Sequence, residues 1–243
     1  MKKLLTLLVL TGTLFAQANN IFTLNPSVNS AGMGNVGIAN AEVKNVFHNP
    51  AFAGLRESHQ EVSYVEWLPN LTDDMGYQSI LYTSDLGWSS EIFYFNYGTQ
   101  VQADQYGVVL GDFESSSYRV SGGYGFGYKD WLVGARLNLY SHNFIDDYSI
   151  DMNYGFDIGA YKEFGNTSLG LVLKDVGGET EFLSQKLNLP MSVGVGVGHK
   201  FGNFTLASDV KFYEDYNSIG LGGQYDLGIA SLKLGYYTES EFD

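Results

Sequence analysis

The chain contains no cysteine, which excludes a disulfide framework, thiol chemistry and the small stapled scaffolds that depend on both. Proline is scarce, with four in 243 residues, and 13 basic residues stand against 27 acidic ones for a formal net charge of −14. So little positive charge excludes a nucleic-acid partner, whose phosphates need a basic footprint. Beyond the first residues no apolar run reaches the ~18 residues of a membrane helix. The four histidines, His48, His59, His142 and His199, are scattered without the spacing of a metal site. No G-x-S-x-G elbow is present, and no serine lies in a recognisable triad context. The reading is therefore of a protein that is not an enzyme and needs no cofactor or metal.

Glycine and aromatics are plentiful. There are 30 Gly, 18 Tyr and 16 Phe, yet mean hydropathy is only −0.09. Such a balance suits a transmembrane β-barrel, in which apolar and polar residues alternate and cancel in any average. The start of the chain agrees with that class. Lys2 and Lys3 precede an apolar stretch from Leu4 to Phe15, and Ala16-Gln17-Ala18 follows as an A-x-A cleavage site. This order predicts an export signal over 1–18 and a mature chain beginning at Asn19.

Residues 19–58 form a segment with no sustained period of 2 or 3.6. Within it, Gly32, Gly34 and Gly37 permit close passage or positive φ, and Asn49-Pro50-Ala51 sets a rigid turn. The glycines spell G-x-G-x-x-G, but a dinucleotide fingerprint needs a βαβ unit, and here uninterrupted strand pattern follows.

From residue 59 onward, alternation with period 2 predicts about eleven strands, near 60–68, 74–84, 86–99, 116–129, 130–143, 149–164, 166–176, 189–201, 203–214, 217–226 and 229–238. Phe204, Leu206, Val210 and Phe212 share one face, and Thr205, Ala207, Asp209 and Lys211 the other. A soluble sandwich would alternate in the same way. The connections discriminate better, because tight turns (Lys129-Asp130, Gly165-Asn166, Gly202-Asn203) alternate with longer links (100–115, 144–148, 177–188). Short periplasmic turns and longer extracellular loops follow that rhythm. Trp67, Trp88, Trp131, Tyr140, Tyr161 and Tyr237 fall near strand ends and are expected to form aromatic girdles. The fold expected is an all-β, antiparallel barrel in the outer membrane of a Gram-negative bacterium, in contact with its lipid. Arg119, Arg136, Asp157, Asp209 and Lys211 take the inward parity and are expected to form a hydrated, paired polar lining able also to hold an N-terminal plug; a substrate path is the alternative. Acidic pairs at Asp73-Asp74, Asp146-Asp147 and Glu214-Asp215 are expected at solvated loop tips; weak calcium binding is the sharper alternative.

Gly32-Met33-Gly34 followed by Phe47-His48-Asn49-Pro50-Ala51 resembles the N-terminal signature of the PorV/PorQ family, itself similar to the FadL-type barrels. A second block, Phe95-Asn96-Tyr97-Gly98 with Gly107 and Gly111-Asp112-Phe113, resembles that family too. The resemblance implies a barrel of about fourteen strands with its N-terminal segment folded into the lumen. An even strand number and the acidic tail Thr238–Asp243 then lead to the expectation that residues 59–243 are an incomplete barrel, short of about three C-terminal strands. For function the resemblance implies an accessory role in type IX protein secretion, with secretion components and exported cargo as partners. The FadL-like alternative is a channel for hydrophobic compounds.

Overall fold

The computed structural model describes residues 20–69, 74–104, 106–145, 148–177, 180–182, 185–187 and 189–241. The predicted signal, residues 1–18, lies outside the described residues, as do Asp73, Asp146 and Asp147.

Among the described residues before the first strand there are only short turns: 3-10 turns at Asn20–Thr23 and Pro50–Leu55, and one α-turn at Val28–Ala31. The strands follow as β1 (His59–Glu66), β2 (Gly76–Thr83), β3 (Trp88–Ala103), β4 (Val109–Tyr128), β5 (Trp131–Ile145), β6 (Tyr148–Phe164) and β7 (Thr167–Gly177). A small separate hairpin, β8 (Thr180–Phe182) and β9 (Gln185–Leu187), precedes β10 (Ser192–Phe201), β11 (Phe204–Tyr213), β12 (Tyr216–Asp226) and β13 (Ser231–Glu241). Eleven of these make one sheet in the order β1 to β7 and then β10 to β13, each antiparallel to the next. Among the described residues, β1 and β13 are the ends of that order.

The strand count and most boundaries agree with the alternation. Two links differ. Much of 100–115 is strand, because β3 and β4 continue as a ribbon beyond a bulge between Asn96 and Thr99. The bulge is fastened from outside by Asp74, whose carboxylate accepts the Thr99 N–H at 2.7 Å. Link 177–188 contains the β8–β9 hairpin, whose strands are too short for a periodic signal.

Burial decides between sandwich and barrel, because the sheet is inside out. Ile92, Val120, Phe126, Leu137, Ile158, Val193, Leu206 and Leu221 are exposed, while Glu91, Arg119, Ser121, Arg136, Asn138, Asp157 and Asp209 are buried. A water-soluble sandwich buries its apolar face; a membrane barrel turns it to lipid. The aromatic girdle needs correction. Trp88 is exposed, but Tyr140 and Tyr161 are buried inward, and Trp67 packs edge-on against Phe95. Tyr140 takes inward parity as a polar-tipped ring that reaches Asp175, and Tyr161 stacks edge-to-face on Phe52 of the N-terminal segment.

The core lies within the curled sheet. Met33, Val36, Ile38, Val43, Val46, Phe47, Ala51 and Phe52 are all buried there, so the segment 20–58 supplies the apolar filling that the polar inner wall lacks.

Candidate functional site

The site is the contact between this luminal segment and the inner wall. Its central feature is an ion network built from one inward position on each of several neighbouring strands. Glu91 on β3 accepts from Arg119 on β4 and, at 2.7 Å, from Arg136 on β5; Arg136 Nε also donates to Asp157 on β6 at 3.1 Å. All four side chains are buried. Inward parity on adjacent strands brings opposite charges together, and each carboxylate and guanidinium satisfies the other where water is excluded.

Asp157 also accepts the backbone N–H of Asp175 at 2.8 Å. Asp175 has φ 55, beside a register shift between Phe156 and Ile158, and its carboxylate accepts from the Tyr140 hydroxyl. This irregularity lets two successive residues, Lys174 and Asp175, both turn inward.

The N-terminal segment engages this network through Phe47. Its ring centroid is 3.7 Å from Lys174 Nζ, 4.6 Å from the Arg119 guanidinium carbon and 5.6 Å from that of Arg136. Three cations thus share one desolvated aromatic ring, and desolvation strengthens such contacts. Arg119 Nη1 further donates to the carbonyl of Phe22 at 2.5 Å.

A second attachment is at β11. Asp209 Oδ2 accepts the backbone N–H groups of Gly37 and Ile38 at 2.7 and 2.8 Å, and Lys211 Nζ donates to the Asn35 carbonyl at 3.5 Å. Asn49 makes a third. Its amide donates to the carbonyls of Ile38 and of Ala160 on β6, and its Oδ1 accepts from Ala51 N, capping the turn that Pro50 opens.

His48 is fully enclosed and shares a 2.8 Å hydrogen bond between Nε2 and Ser30 Oγ. Burial pushes its pKa well below the usual imidazole value, and the positive charges of Lys211, Lys174 and Arg136 push it the same way. The ring is neutral at pH 7.

The fit is close enough that a side chain could not be added on either side. Gly34 has φ +69, and a Cβ there would lie 2.4 Å from the carbonyl oxygen of Tyr236 on β13. On the wall, a Cβ at Gly134 would meet the Pro50 carbonyl at 2.2 Å, and one at Gly235 would meet Gly34 N at 1.9 Å.

The sequence-singled residues thus fall into three groups. Arg119, Arg136 and Asp157 meet in one network; Asp209 and Lys211 form a separate attachment on β11. Gly32, Gly34, Gly37, Asn49, Pro50 and Ala51 all lie on the segment, Gly32 exposed and the others in or against the wall. Glu91 and Lys174 were not singled out, although their alternation with outward neighbours carries the same parity signal. Asp175 breaks parity at the bulge, and the wall glycines carry no charge to attract notice. Among the described residues no cluster of His, Cys, Asp or Glu could hold a metal ion.

No protein-family model matches the chain, and no curated protein matches it. Among solved structures it is similar to the TodX deltaS2S3 mutant monoaromatic hydrocarbon channel, at 12% identity and TM-score 0.60, over 89% of this chain and 83% of that one. It is also similar, more loosely, to the Ralstonia pickettii toluene transporter TbuX, at 14% identity and TM-score 0.45, over 90% and 79%. The first likeness shows the fold, that of a FadL-like outer-membrane barrel. Nothing in these comparisons supports the PorV/PorQ resemblance specifically.

Proposed function

We propose that this chain is an outer-membrane β-barrel channel for small hydrophobic compounds, with residues 20–58 as its luminal stopper. The observation that supports this reading best is the fold shared with a monoaromatic hydrocarbon channel along most of both chains. The inside-out sheet supports the membrane location. Because the segment is buried within the curled sheet, passage of a solute in this reading requires it to shift. The reading gives the buried ion network a positioning role: it holds a removable element against the wall and takes no chemical step.

The accessory role in type IX secretion is the second reading, and the GMG…NPA resemblance alone favours it. A deletion strain separates the two. Lost uptake of labelled toluene or fatty acid with an unchanged secretome supports the channel. Unchanged uptake with lost surface-anchored cargo would replace it with the secretion role.

A further inference from the structure

The outer wall carries a furrow that the channel reading does not use. It lies across β10 to β13 and is lined by Val197, Phe204, Leu206, Leu221, Leu234 and Tyr236, with a volume of about 830 Å³. Ligand-sized pockets span roughly 300–1,000 Å³.

Its shape follows from the register. Leu206 on β11 pairs with Gly223 on β12, and Gly223 with Leu234 on β13. Gly223 has outward parity, so two leucines flank a position with no side chain. Ser208, paired with Val197 and Leu221, is the next small outward residue. Phe204 closes one side: a Cβ built on Gly223 would lie 3.4 Å from its ring. The result is a groove in a surface that is elsewhere studded with Val, Ile and Phe.

We propose that this furrow is a binding site for one acyl chain of a phospholipid in the inner leaflet of the outer membrane. Three observations select the occupant. The lining is almost wholly apolar, and it faces outward on a barrel whose outward face meets hydrocarbon. Phe204 directly follows the tight Gly202-Asn203 turn, and short turns mark the periplasmic end, where the adjoining leaflet is phospholipid. Bulk lipid is as apolar as leucine, so retention comes from packing on three sides of the chain rather than from escape from water.

Native mass spectrometry of the full chain, extracted in mild detergent, tests this. Wild-type protein should retain a single phospholipid. Gly223→Leu, which fills the furrow floor, should lose it, and Gly122→Leu should keep it. Gly122 is an outward position on β4 with nothing near its Cβ, so it controls for bulk added to the lipid face. Heat-modifiable migration of each variant confirms that the barrel is folded. Wild-type protein without retained lipid would overturn the proposal, as would equal retention in Gly223→Leu. Disulfide-linked dimers formed efficiently by Leu234→Cys in membranes would also overturn it, by assigning the furrow to a second copy of this chain.

Discussion

Glu91 is buried between two guanidinium groups, and a neutral substitute there is expected to be costly. Its two carboxylate oxygens serve Arg119 and Arg136 separately, so Glu91→Gln leaves two buried guanidinium groups short of charge. Breaking one side of a buried pair costs about 3–5 kcal/mol, and unfolding of the variant in detergent micelles should show a loss of that size. Phe47→Leu keeps an apolar side chain, somewhat smaller, but removes the quadrupole facing three cations, and a smaller loss of about 1–2 kcal/mol is expected in the same assay. His48 adds a pH dependence with a definite sign. Its folded pKa lies below the unfolded value of 6.5, so the unfolded state binds the extra proton. The stability involved is fully present above that value and is lost as pH falls through it. Urea midpoints measured from pH 7.5 down to pH 5 should therefore fall for wild-type protein and flatten for His48→Gln. An equal slope in both would remove His48 from the account.

Elements, rather than single residues, decide whether the stopper stays in place. Gly134 and Gly235 leave room in the wall for the backbone at Pro50 and Gly34. Neither neighbour is a flexible side chain that could swing aside. Gly134→Val should displace the segment and raise ion leak across planar bilayers, whereas Gly127→Val, whose nearest contact is a leucine methyl at 4.0 Å, should not. At this scale much of the fold was legible. Period-2 alternation located all eleven long strands, because most of their length pairs an outward apolar face with an inward polar one, although it missed the β3–β4 ribbon beyond the bulge. The alternation could not reveal β8 and β9, which are three residues each, or the inward turn of Asp175, which breaks parity at a bulge. Tyr140 and Tyr161 misled for a related reason. A tyrosine near a strand end reads as a girdle residue, but parity turns these two inward, toward Asp175 and Phe52. The charges singled out on the inner face were legible individually. The grouping of Arg119, Arg136 and Asp157 into one network beside Phe47, apart from Asp209 and Lys211, was not, since it depends on the stagger between strands and on the path of a segment without periodicity.

At the scale of the molecule, the stopper also spans the interval between the ends of the sheet. Ser27 Oγ donates to Glu61 on β1 at 2.6 Å, and Lys233 on β13 donates to Asn29 at 2.8 Å. One helical turn therefore ties the first described strand to the last, and in the proposed channel its release is the step on which passage of a solute depends. Locking that turn tests the account most directly. A Cβ on Gly32 would stand 3.6 Å from the Cβ of Lys233, within the span of an unstrained disulfide, and the chain has no other cysteine to interfere. Gly32→Cys with Lys233→Cys should be expressed in a host without its own hydrophobic channels, and uptake of labelled toluene followed. The account predicts saturable uptake by wild-type protein, a fall to the empty-vector level when the pair is oxidised, and recovery on reduction. Uptake that is unchanged by the closed disulfide, or wild-type uptake no faster than the empty vector, would contradict it.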